Sequence, residues 1–103
     1  MADNEGDILT KSKVRIDISE PKAYNVIYIN DDKTPFDFVI MTLVGFYNHS
    51  KERASELADE VHEKGKAIVA SNLTREMATH LVELTTQAAR ANHFPLQARV
   101  EQL

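Results

Sequence analysis

The stretch that decides the fold runs from Tyr24 to Phe38 and reads Y-N-V-I-Y-I-N-D-D-K-T-P-F-D-F. Its first half is rich in β-branched and aromatic residues, which is typical of a strand. The polar run N-D-D then breaks the strand, and Thr34-Pro35 signals a helix start, since proline is tolerated at the first helical position. The stretch therefore predicts a strand, a polar turn and a helix in direct succession. Polar groups on a turn held between two rigid elements are well placed to form a site.

Caps and apolar spacing predict where the helices lie. Thr34 is expected to cap the first helix, with Asp37 completing a capping box, and the helix is expected to end before Asn48. Ser50 or His49 is expected to start the second helix. Gly65 ends it, because glycine readily adopts the left-handed conformation that closes a helix.

The second half of the chain predicts two more strands around a third helix. Residues 66–71 are short and apolar, Thr74 is expected to cap the third helix, and residues 95–102 form a last edge strand. The order β-α-α-β-α-β predicts an α+β fold, a two-layer domain with a three-stranded antiparallel sheet and three helices packed on one face. Residues 1–22 are predicted to be a flexible N-terminal extension and residues 23–103 the core domain.

The composition is that of one ordinary globular domain of 103 residues, with 43% hydrophobic and 27% charged residues. The net charge of −4 disfavours nucleic acid as a partner, since a duplex binder needs a basic surface. The absence of cysteine excludes disulfides, Cys-ligated zinc and thiol catalysis. No apolar run reaches the length of a secretory signal or membrane span, so we expect a cytoplasmic protein with no membrane partner.

Two features are candidates for chemistry, and each has an ordinary alternative. Asn30, Asp31 and Asp32 favour a tight turn, because Asn and Asp side chains bond their own backbone. The same oxygens also suit a cation, either a metal or an ammonium group. His62 borders the apolar stripe of the second helix near its C-terminus, where the helix dipole favours a histidine. It is either a surface residue or a hydrogen-bond partner for a ligand.

Three segments together resemble the ClpS family, the adaptor of the bacterial Clp protease that recognises N-degrons. They read Y-N-V-I-Y-I-N-D-D-K-T-P-F-D-F-V-I, E-R-A-S-E-L-A-D-E-V-H-E-K-G-K-A and N-H-F-P-L. The resemblance covers about residues 23 to 102. The combination of N-D-D-x-T-P, V-H-x-x-G-K-A and a late P-L is specific, although no single piece is. It implies the same β-α-α-β-α-β fold.

The resemblance implies an adaptor rather than an enzyme, with no cofactor and no metal. The free α-amino group of a substrate would be held by Asn30, Asp31 and His62. The N-terminal Leu, Phe, Tyr or Trp side chain of that substrate would enter an apolar pocket. By position, the lining residues of this pocket are Thr34, Phe36, Val39, Ala58, Val61 and Leu96.

The resemblance also implies a partner, the N-terminal domain of a Clp AAA+ chaperone, which supplies ATP hydrolysis. Glu76 matches the acidic docking residue of the family, and the adaptor is expected to be a monomer. The family often reads A-E-T-K on the third helix, whereas this chain has Ala78-Thr79-His80-Leu81. That departure places the docking surface and the identity of the chaperone in question.

A second departure lies in the pocket. The family usually has a bulky residue, often Met, at the position of Ala58. A smaller residue predicts a roomier pocket that favours large aromatic residues or admits Ile and Val, and Phe36, where Met is common, refills part of that volume. Two rival functions remain: a metal-dependent enzyme that uses Asp31, Asp32 and His62, and an interaction scaffold that resembles the C-terminal domain of the ribosomal stalk protein.

Overall fold

The computed structural model of the chain describes residues 21–103. The predicted extension over residues 1–22 therefore lies outside the described residues, except for its last two. The division into an extension and a core stays a prediction. The described chain forms six elements in the predicted order: β1 (Tyr24–Ile29), α1 (Phe36–Gly45), α2 (Lys51–Lys64), β2 (Lys66–Leu73), α3 (Arg75–Ala91) and β3 (Gln97–Gln102).

The three strands form one antiparallel sheet with β1 in the centre, in the order β2-β1-β3. Tyr28 in β1 lies opposite Ala67 in β2 and Ala98 in β3. Alternate residues of β1 point into the core, because successive side chains of a strand face opposite ways. The α+β prediction, with three helices on one face of the sheet, is confirmed. The largest fully buried side chains between the two layers are Tyr28, Leu43, Leu57, Leu96, Val26 and Val69.

Two of the three predicted helix caps are present. The Ser50 hydroxyl accepts a hydrogen bond from the backbone N–H of Arg53 at 3.0 Å, and the Thr74 hydroxyl accepts one from Met77 at 3.1 Å. The cap predicted for α1 is wrong. Pro35 occupies its N-cap and has no polar side-chain atom that could cap the helix, while the Thr34 hydroxyl donates to Asp31 instead.

Two buried hydroxyl pairs connect β1 with α1 and the segment after α1 with α3. The Tyr28 hydroxyl lies 2.8 Å from the Thr42 hydroxyl, and the Tyr47 hydroxyl lies 2.7 Å from that of Thr85. Both threonines also donate to backbone carbonyls of their own helices. The two tyrosine rings meet edge to face at 5.7 Å. Burial raises the pKa of both phenols, since the charged form loses its hydration in the core.

Candidate functional site

The turn after β1 is organised by the Asp31 carboxylate. One of its oxygens accepts hydrogen bonds from the backbone N–H groups of Lys33 at 2.8 Å and Thr34 at 2.7 Å. The other accepts from the Thr34 hydroxyl at 2.8 Å. The turn interpretation of N-D-D is therefore confirmed for Asp31. An ionised carboxylate has about four acceptor positions, so Asp31 keeps one for a further donor.

A backbone contact ties this turn to the far end of α2. The N–H of Asn30 donates to the carbonyl oxygen of Gly65 at 2.9 Å. Gly65 closes α2 in the left-handed conformation, with φ of 88°, and its own N–H donates to Val61 at 3.0 Å. His62 lies in the last turn of α2. The same contact therefore brings the histidine to the polar turn, although the two are some thirty residues apart in the sequence.

The N-D-D turn, α1 and α2 together enclose a cavity of about 320 Å³. This volume is at the lower end of the range for small-ligand sites, roughly 300–1,000 Å³. We call it the turn cavity. Eight of the nine residues predicted for substrate binding line this cavity. Asp32 lines it too, although the resemblance assigned it no role. The full lining consists of Asn30, Asp31, Asp32, Thr34, Phe36, Val39, Ala58, Val61 and His62.

Leu96 is the predicted pocket residue that does not line the turn cavity. Its side chain is 1% exposed and belongs to the hydrophobic core. The residue lies between α3 and β3 and reaches the core layer between sheet and helices rather than the cavity. Sequence position placed Leu96 near the site, but only the packing of the layers decides on which side of the core its side chain points.

The turn cavity has a polar rim and an apolar floor. Asn30, Asp32 and His62 are exposed, whereas Val39, Ala58 and Val61 are buried beneath them. Phe36 is 42% exposed and stands at the rim. The lining includes two carboxylates and neither lysine nor arginine. Such a site suits a ligand that carries a positive charge next to an apolar side chain.

Glu76 lies apart from the turn cavity, in the first turn of α3, and is exposed. It borders a different surface cavity of about 530 Å³, which it lines together with Met77, Thr79, His80 and Glu83. The two cavities share no lining residue. The protein therefore presents two separate surfaces, one on the turn and one on α3.

Residues 21–103 contain neither a cluster of metal ligands nor a helix that could span a membrane. Within this range, no group of three or more His, Asp or Glu side chains is arranged to hold a metal ion. Asp31, Asp32 and His62 line the same cavity without forming such a group. None of the helices in the same range is long and apolar enough to cross a membrane.

The fold and the site together define the class of protein. It is a small two-layer α+β domain with an apolar cavity whose rim carries hydrogen-bond acceptors. The family model described as ATP-dependent Clp protease adaptor protein ClpS matches residues 19–99. The chain belongs to this family, which confirms the predicted resemblance. It is therefore an adaptor of the Clp protease family and not an enzyme.

Known relatives support the assignment. The ClpS adapter protein of Salmonella arizonae is 41% identical over 95 residues, which are 92% of this chain and 89% of the relative. The ClpS of Treponema denticola is 42% identical over 84 residues, 82% of each chain. Among solved structures, Agrobacterium tumefaciens ClpS2 bound to L-phenylalaninamide superposes with a TM-score of 0.77 at 29% identity. That match covers 81% of this chain and 99% of the other.

Proposed function

We propose that this adaptor binds proteins by their free N-terminus and delivers them to a Clp AAA+ chaperone. Asn30, Asp31 and His62 hold the α-amino group, and the first side chain of the substrate fills the turn cavity. The observation that carries this proposal is the pairing of an acceptor rim with an apolar floor in one cavity. An α-amino group has a pKa of about 7.7–8.0, so it is mostly cationic at neutral pH.

Simple energetics support recognition of one residue. Each hydrogen bond that involves a charged group contributes about 1.5–3 kcal/mol. Burial of a Leu or Phe side chain adds about 1.5–3 kcal/mol, and association costs several kcal/mol of lost freedom. A micromolar affinity, about −8 kcal/mol, is therefore within reach of these few contacts. The ligand of Agrobacterium tumefaciens ClpS2, L-phenylalaninamide, combines an α-amino group with an aromatic side chain.

Fluorescence anisotropy with a Phe-initiated peptide tests the proposal. We expect N-acetylation to weaken binding at least about tenfold, since it removes the positive charge and two hydrogen-bond donors of the α-amino group.

His62→Ala and Asp31→Asn are expected to weaken binding of the free peptide. His80→Ala, an exposed histidine on α3, is the matched control and is expected to bind normally. EDTA should leave binding unchanged, which separates this function from the metal-dependent alternative. Equal affinity for free and acetylated peptides would defeat the proposal.

We further propose that the chaperone docks on α3 around Glu76, while substrate occupies the turn cavity. The separate linings of the two cavities support simultaneous binding of both partners. The departure from the family pattern falls on this surface: Thr79 and His80 are exposed, and Leu81 is half-buried against the core. Glu76 matches the acidic residue that the family pattern has near the start of this helix.

A further inference from the structure

The exposed side of α1 is largely apolar. Only Asp37 is charged among the ten residues of the helix. Its core face consists of Phe38, Val39, Thr42 and Leu43. On the opposite side, Met41 is 58% exposed and Val44 is 39% exposed. A helix at the surface of a globular protein usually carries polar residues there, so this side is a candidate for binding an apolar ligand.

The exposed residues form a groove on the same helix that borders the turn cavity. Asp37, Ile40, Met41 and Val44 follow the i, i+3, i+4, i+7 spacing of one helix face. They line a shallow cavity of about 600 Å³ together with Gly45 and Lys51, the first residue of α2. We call this cavity the outer groove. Phe36, at the rim of the turn cavity, precedes Ile40 by one helical turn, so apolar surface continues from one site to the other.

The length of the groove matches a short segment of extended peptide. Val44 lies eight positions after Phe36 in the helix, which corresponds to about 12 Å along the axis. An extended chain covers about 3.3 Å per residue, so about four residues span this distance. A substrate whose first residue fills the turn cavity therefore has its third to fifth residues within reach of the outer groove.

We propose that the outer groove binds an apolar side chain at the third to fifth position of the same substrate. This inference rests on the proposed function of the turn cavity. Its support is the run of apolar residues along α1 from Phe36 through Ile40 to Met41 and Val44, which are neighbours at helical spacing. The charges at the groove are one carboxylate and one ammonium, Asp37 and Lys51, so the groove favours uncharged apolar residues over acidic or basic ones.

Two labelled ten-residue peptides test this proposal, both with N-terminal Phe. One carries Leu at positions 3 to 5 and the other carries Ser at the same positions. By anisotropy, wild type is expected to bind the Leu peptide about five- to tenfold more tightly, since a leucine becomes partly buried. In Met41→Gln and Val44→Gln this ratio is expected to fall to about one. Ile68→Gln replaces an apolar residue of similar exposure, 49%, on β2, outside both proposed binding surfaces, and should keep the full ratio.

Each other outcome has a definite meaning. If both peptides bind wild type equally well, the outer groove plays no part and the proposed function survives. If neither binds, the proposed function itself fails. A ratio that persists in both α1 variants would locate the downstream contact elsewhere and overturn the inference. Sedimentation velocity provides the last check: self-association that Met41→Gln abolishes would assign the groove to a second copy of the chain instead.

Discussion

At the scale of single residues, Ala58 has the greatest consequence for which N-termini bind. It is buried in the floor of the turn cavity, between the branched side chains of Val39 and Val61. A methyl group there leaves space that a longer side chain would fill. The identity of this residue, rather than the polar rim, is therefore expected to set the size of side chain that the cavity accepts.

We expect wild type to bind Ile- and Leu-initiated peptides with affinities that differ by no more than about tenfold. In Ala58→Met, binding of the Ile peptide is expected to weaken about tenfold more than binding of the Leu peptide. Overfilling a packed site costs about 1–3 kcal/mol, and a β-branched ligand has the least freedom to avoid the clash. Anisotropy with Phe, Leu and Ile peptides measures this. Ala91→Met, at an exposed position of α3, is the control. A wild type that already rejects Ile as strongly as the variant would show that the cavity is not enlarged.

The positions of site residues were predictable from the sequence where a local motif marks them, whereas their roles remain a prediction. The N-D-D turn and the V-H pair allowed Asn30, Asp31 and His62 to be assigned through the resemblance, and the structure brings all three to one cavity. Thr34 shows the limit. A threonine before a proline can cap a helix or bond to the preceding turn, and only the folded backbone selects Asp31 as its partner. Leu96, which does not line the turn cavity, shows a similar limit, since the direction of its side chain depends on packing between layers.

At the scale of elements, the order and type of all six were predictable because each carries its own periodicity and punctuation. Ser50 and Thr74 cap their helices as predicted, since N-capping involves residues only three apart. What joins the elements is not local. The hydrogen bond from Asn30 to Gly65, which sets the turn against the end of α2, has no signature in either segment alone.

Helix α3 carries the prediction that concerns the chaperone. Glu76→Arg is expected to weaken binding to the full Clp chaperone at least about fivefold, because it reverses the charge at the proposed docking residue. Binding of a Phe-initiated peptide should not change, since Glu76 does not line the turn cavity. Biolayer interferometry measures the first quantity and anisotropy the second.

Two controls make the α3 result specific. Glu101→Arg makes the same replacement at an exposed position of β3 and is expected to leave chaperone binding intact. A carboxylate in the first turn also favours the helix dipole, so Glu76→Arg costs about 0.3–1 kcal/mol of stability, which circular dichroism monitors. Unchanged chaperone binding by a folded Glu76→Arg variant would remove this residue from the docking surface.

At the scale of the whole molecule, the buried tyrosines predict a loss of stability in alkaline solution. Burial raises the pKa of Tyr28 and Tyr47 above the ordinary value of 10.0. Above about pH 10 the unfolded phenols ionise while the folded ones stay protonated, so the unfolded state binds fewer protons and the free energy of unfolding falls. The protonated phenols thus contribute their full stability below about pH 10. Above that pH, the contribution of each phenol to the free energy of unfolding falls by up to about 1.4 kcal/mol per pH unit.

Urea unfolding at about pH 8 and about pH 11 measures this loss of stability, to which lysines also contribute. Tyr47→Phe isolates one phenol: it is expected to lose less stability between the two pH values than wild type, and an equal loss would contradict the role of its burial.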